Sequence, residues 1–73
     1  MLQVELNGET REFSGDDIVL AELVRELSLA PQRIAVEVNK QLVRRDAWEQ
    51  TLIRDGDRIE IVHFVGGGSA YPS

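Results

Sequence analysis

Apolar and polar residues alternate from the first positions of the chain: Leu2, Val4 and Leu6 are interleaved with Gln3, Glu5 and Asn7. A period of two puts one set of side chains on one face, so this segment reads as a strand with one side buried. Asn7-Gly8 is a strong signal for a tight hairpin, and Thr10 to Phe13 reads as its second arm. After Ser14-Gly15-Asp16-Asp17 the period lengthens. Leu20, Leu23, Val24 and Leu27 fall at i, i+3, i+4 and i+7, the stripe of an amphipathic helix, with Glu22, Arg25 and Glu26 on its outer side. Asp16 or Asp17 is expected to cap that helix and to suit the positive end of its dipole. Pro31 marks its end by about Ala30. Ile34 to Val38 reads as a third strand, Asn39-Lys40 as a turn and Gln41 to Val43 as a short return. Asp55-Gly56-Asp57 is the last turn, and Arg58 to Val65 the final strand. The order of two strands, a helix and further strands defines an α+β domain.

The final strand carries its own expectation. With Ile59 and Ile61 in the core, alternation turns Glu60, Val62 and Phe64 to the opposite face. Val62 and Phe64 then form an apolar docking patch immediately before Gly66, Gly67 and Gly68. Against this, sheet twist or a bulge would return Phe64 to the core edge. Glycine lacks a Cβ, so three in a row pass as bare backbone through a channel too narrow for other residues. On composition alone such a run is equally a flexible linker or a fraying end. The expected division is therefore a folded domain over residues 1–65 and a glycine-rich tail over 66–73.

At 73 residues without a cysteine, the chain has neither disulfides nor a thiolate zinc site, and its apolar core must hold it unaided. The helical stripe is therefore committed to the core. Trp48, in the polar segment from Arg45 to Gln50, is expected to close the open side of that core. A net charge of −5 argues against nucleic acid, and Arg44-Arg45 is too small a basic cluster to reverse that. No run is long and apolar enough for a membrane span or a signal peptide, which points to the cytoplasm. Catalytic chemistry is sparse: His63 is the only histidine and lacks a nucleophile to serve. Asp55 and Asp57 flank a turn glycine, where turn formation accounts for them. No phosphate-binding glycine loop opens a helix, and no metal constellation stands out.

Three stretches taken in order resemble the ThiS family, the sulfur carrier proteins of thiamin biosynthesis. They are Val38-Asn39-Lys40-Gln41-Leu42-Val43-Arg44-Arg45 followed by Trp48, then Asp55-Gly56-Asp57-Arg58-Ile59-Glu60-Ile61, and the end Val62-His63-Phe64-Val65-Gly66-Gly67-Gly68. The resemblance covers Met1 to Gly68. It implies the β-grasp fold shared with ubiquitin and with MoaD, a mixed sheet packed on one helix. It also implies a protein that is not itself an enzyme. A ThiF-type enzyme would use ATP to adenylate the terminal glycine, Gly68 or Gly67. Sulfur from a donor such as a cysteine desulfurase relay would then displace AMP to leave a thiocarboxylate. A ThiG-type thiazole synthase would take the sulfur, and the carrier would hold no cofactor of its own. Gly66 would be part of the tail inserted into both enzymes, where two or three extended glycines reach roughly 7 to 10 Å. The alternative is a ubiquitin-like binding module, or a carrier for molybdopterin or cysteine synthesis.

One departure from the family pattern follows the glycines. Ser69-Ala70-Tyr71-Pro72-Ser73 continues the chain, so Gly68 carries an amide where adenylation needs a carboxylate. Either a protease removes these residues, or they are an artefact, or the chain has left the pathway. Removal or artefact is favoured over a lost function, and of Gly67 and Gly68 the latter is the better candidate for the mature end.

Overall fold

The computed structural model describes residues 1–64. Strand β1 (Leu2–Leu6) turns through Asn7 and Gly8, both at positive φ (50° and 85°), into β2 (Glu9–Phe13). Two successive left-handed residues give a turn whose twist matches that of the strands it joins, which is what Asn-Gly supplies. The register runs from Leu2 opposite Phe13 to Leu6 opposite Glu9. A second hairpin joins β4 (Ile34–Val38) to β5 (Gln41–Val43) through Asn39 and Lys40, again both at positive φ. The last strand, β7 (Arg58–His63), lies between the two hairpins, parallel to β1 and antiparallel to β4. The resulting sheet has the order β2-β1-β7-β4-β5.

Helix α1 (Leu20–Glu26) buries Leu20, Ala21, Leu23 and Val24 against one face of this sheet. Val4, Leu6, Val36, Ile59 and Ile61 meet it from the strands. A mixed sheet with one helix on one face is the β-grasp arrangement. Each large aliphatic side chain contributes about 1.5–3 kcal/mol by its burial, so the stripe and the alternating strands supply the bulk of the stability.

Two short strands extend the sequence reading. β3 (Asp17–Val19) and β6 (Leu52–Arg54) pair antiparallel as a separate ribbon, with Ile18 opposite Ile53 and both in the core. This corrects the expected cap. Asp17 belongs to β3, the N-cap position is Val19 in extended conformation, and no side chain caps the helix. The Leu20 N–H instead donates to the Thr51 carbonyl at 2.8 Å. Burying Ile18 against Ile53 draws the segment before the helix into a strand, and backbone pairing takes over what a carboxylate would have done. At the other end the helix stops at Glu26, with Ser28 at φ 59°. The Ser28 N–H donates to the Arg25 carbonyl and the Leu29 N–H to that of Val24, the paired bonds of a Schellman motif. Leu27, the last residue of the stripe, sits at the C-cap and packs half-buried on the core. Pro31 opens a 3-10 turn, Pro31–Arg33, that leads into β4.

Trp48 closes the core as expected. It lies in the 3-10 helix Arg45–Gln50 at 4% exposure, and its indole Nε1–H donates to the Val43 carbonyl at 3.0 Å. No helix among the described residues is long and apolar enough to cross a membrane.

Candidate functional site

β7, the last strand among the described residues, is held along both edges. On the β1 side the Asn7 N–H donates to the Ile59 carbonyl at 2.9 Å. Past that point β1 has turned away into its hairpin, and the Asn7 side chain continues the ladder. Its Oδ1 accepts from the Ile61 N–H at 2.7 Å and its Nδ2 donates to the Ile61 carbonyl at 3.2 Å. On the other side β4 pairs with β7 from Val38 opposite Ile59 to Ile34 opposite His63. One step further the Phe64 N–H donates to the Arg33 carbonyl at 2.8 Å. The strand itself ends at His63, short of the expected Val65.

Alternation along β7 sorts the side chains as expected. Ile59 and Ile61 are buried toward the helix, whereas Glu60 and Val62 face the open side of the sheet. Val62 is 57% exposed and lies opposite Ala35 of β4. Phe64 is half-buried just past the strand end. His63 is exposed and, with Arg11, borders a shallow groove of about 260 Å³ floored by Leu6, Leu27, Leu29 and Ile61. Gly66, Gly67 and Gly68, the expected reactive end and its approach, lie outside the described residues.

The open face holds two features that sequence reasoning did not bring together. Glu37 of β4 stands directly opposite Glu60 of β7, and Leu42 of β5 stands opposite Glu37. Leu42 is 62% exposed. Toward β1 the charges on the same face are balanced, since Arg58 pairs with Glu5 at 3.5 Å. The signal for Glu37 and Glu60 was present only as two acidic positions in alternating strands. Their proximity depends on the β4–β7 register, which local pattern does not reveal.

The described residues form a β-grasp sheet whose central strand, β7, runs beside an apolar, acidic face, a class of fold that hosts many functions. Comparison with known proteins narrows this class. Residues 4–68 match the ThiS family, so the match runs through all three glycines. The chain belongs to the ThiS family. The sulfur carrier protein ThiS of Bacillus subtilis is 34% identical over 65 residues, covering 89% of this chain and 98% of that protein. A thiazole synthase of Paramagnetospirillum magneticum is 41% identical over 68 residues, covering 93% of this chain but 21% of the synthase. The chain thus spans about a fifth of the length of the thiazole synthases it matches. Among solved structures, the thiamine biosynthesis protein ThiS of Geobacter metallireducens superposes with a TM-score of 0.81 at 30% identity, over 92% of this chain and all of that one.

Proposed function

We propose that the chain is a sulfur carrier for thiazole synthesis, acting in the cytoplasm, with residues 66–73 as a tail on the folded domain and Gly68 as the working end. The single observation that carries this reading is a family match that continues past the last strand through the three glycines. A core domain used only for binding has no need of them. Once Ser69 to Ser73 are removed, the Gly68 carboxylate is available. Because a carboxylate is a poor electrophile, a ThiF-type enzyme first joins it to the AMP of ATP and releases pyrophosphate. A sulfur nucleophile then displaces AMP. Where the donor is a persulfide from a cysteine desulfurase relay, the product is an acyl disulfide, and a thiol reduces it to the thiocarboxylate. The carrier holds no cofactor and performs no catalysis; ATP is bound by the partner.

Two further points support the reading. Val62, exposed four residues before Gly66, and Phe64 make the apolar patch that seats the domain on the adenylating enzyme as the tail enters it. A match to about a fifth of two thiazole synthases supports a ThiG-type synthase as the recipient of the sulfur. The test is to end the chain at Gly68 or at Gly67 and to measure ATP-dependent pyrophosphate release by the adenylating enzyme of the same organism. Release with the Gly68 form, and none with the full 73-residue chain, is expected. Absence of release with both truncated forms would defeat the carrier reading.

A further inference from the structure

The half of the open sheet face built by β7, β4 and β5 is electrostatically unsatisfied. Glu37 and Glu60 are register partners, so their side chains project side by side from one face. Among the described residues neither carboxylate makes an ion pair or a hydrogen bond. Arg58, the cation on the same strand and face two residues from Glu60, is engaged with Glu5. Like charges directly opposite each other destabilise a sheet. Two large apolar side chains frame the pair: Leu42 opposite Glu37, and Val62 two residues beyond Glu60. The domain therefore carries a repulsive pair between exposed apolar groups, spread over β5, β4 and β7 on one sheet face.

We infer that Glu37 and Glu60 together receive one basic side chain of the thiazole synthase, with Leu42 and Val62 packed against apolar groups around it. The inference rests on the carrier reading above, which makes the synthase the client. The charge of the face calls for a basic occupant, and the match to two thiazole synthases points to the synthase as the protein that supplies it. A second copy of the chain would bring four carboxylates together, and a nucleic acid would add phosphates to them. A basic group instead removes the repulsion on binding, so the strain between the two glutamates becomes affinity. An arginine suits the site best, because its planar fork offers donors to two carboxylates at once. The contact is continuous with the tail, as Val62 lies on the strand that ends at His63, so a synthase holding the glycines is adjacent to the face.

The experiment uses the full chain and its Gly68-ended form with the purified thiazole synthase of the same organism. Binding is measured by calorimetry at several salt concentrations, and thermal melting is measured on the same variants. Glu37→Gln and Glu60→Gln are expected each to weaken binding several-fold, and together by about tenfold or more, with a shallower salt dependence. Melting temperature should stay level or rise, because the substitutions remove a repulsion. The opposition of the two signs separates docking from a structural role, which would lower both. Glu60→Lys, which pairs with Glu37 within the sheet, should raise the melting temperature further and weaken binding most. Binding by the parent chain that is unchanged or tightened in Glu37→Gln and Glu60→Gln overturns the inference and leaves the carrier reading standing. No binding of the parent chain in either form overturns both.

Discussion

The carboxamide of Asn7 brackets the backbone of Ile61, accepting from its N–H at 2.7 Å and donating to its carbonyl at 3.2 Å across 54 positions of sequence. Asn7 thereby does two jobs: its backbone at φ 50° forms the first hairpin, and its side chain stands in for the strand residue that the hairpin removed. The second job fixes β7 two residues before it ends, next to Val62.

The two roles separate experimentally. Glycine at position 7 keeps the turn, since Gly-Gly suits it, and deletes the bracket. Asn7→Gly should therefore destabilise the domain by about 1–3 kcal/mol, the cost of freeing two partly buried hydrogen-bonding groups. Urea denaturation checks this. A change of only a few tenths would mean that Asn7 serves the turn alone.

Ser28 ends the helix in a conformation that a side chain disfavours, with φ 59°. Ser28→Gly leaves the Schellman bonds in place and removes the clash of the Cβ, which costs a non-glycine residue about 1–2 kcal/mol. Part of this is offset by the greater freedom of glycine in the unfolded chain. The expected gain is about 0.5–1 kcal/mol, read as a rise of roughly 2–8 °C in melting temperature for a domain of this size. An unchanged or lower melting temperature would contradict it.

Trp48 combines apolar burial with one polar requirement. Trp48→Ala should cost about 3–5 kcal/mol, enough to unfold much of so small a domain. Trp48→Phe retains most of the packing but leaves the Val43 carbonyl without its indole donor, for about 1–3 kcal/mol. Circular dichroism melts of the two variants test the order.

At the docking patch the expected change is in binding. Phe64→Asp and Val62→Asp should weaken association with the adenylating enzyme while the melting temperature stays within a few degrees, since Val62 is 57% exposed and Phe64 half-buried. Association as strong as the parent's, or loss of the fold, would remove the patch from the account.

Much of this architecture was legible before any coordinates. Asn7-Gly8 and Asn39-Lys40 mark both hairpins, and the Leu20 to Leu27 stripe marks the helix, because each rests on a local rule of backbone or periodicity. Val62 was legible on the open face for the same reason. β3 and β6 were not, since each is three residues long with no hairpin neighbour to mark it, and their pairing depends on Ile18 finding the distant Ile53. The misplaced cap followed from that omission: an aspartate before a helical stripe has the composition of a cap, and only the ribbon shows it to be a strand residue. The bracket of Asn7 on Ile61 and the opposition of Glu37 and Glu60 were beyond reach of local reading, because each joins segments that are distant in the chain.

The most direct test of the carrier account is the intact mass of the protein isolated from its own cells during thiamin synthesis. The account predicts a chain ending at Gly68 or Gly67, part of it heavier by the replacement of one oxygen with sulfur. A chain still ending at Ser73, with no such shift, would contradict it.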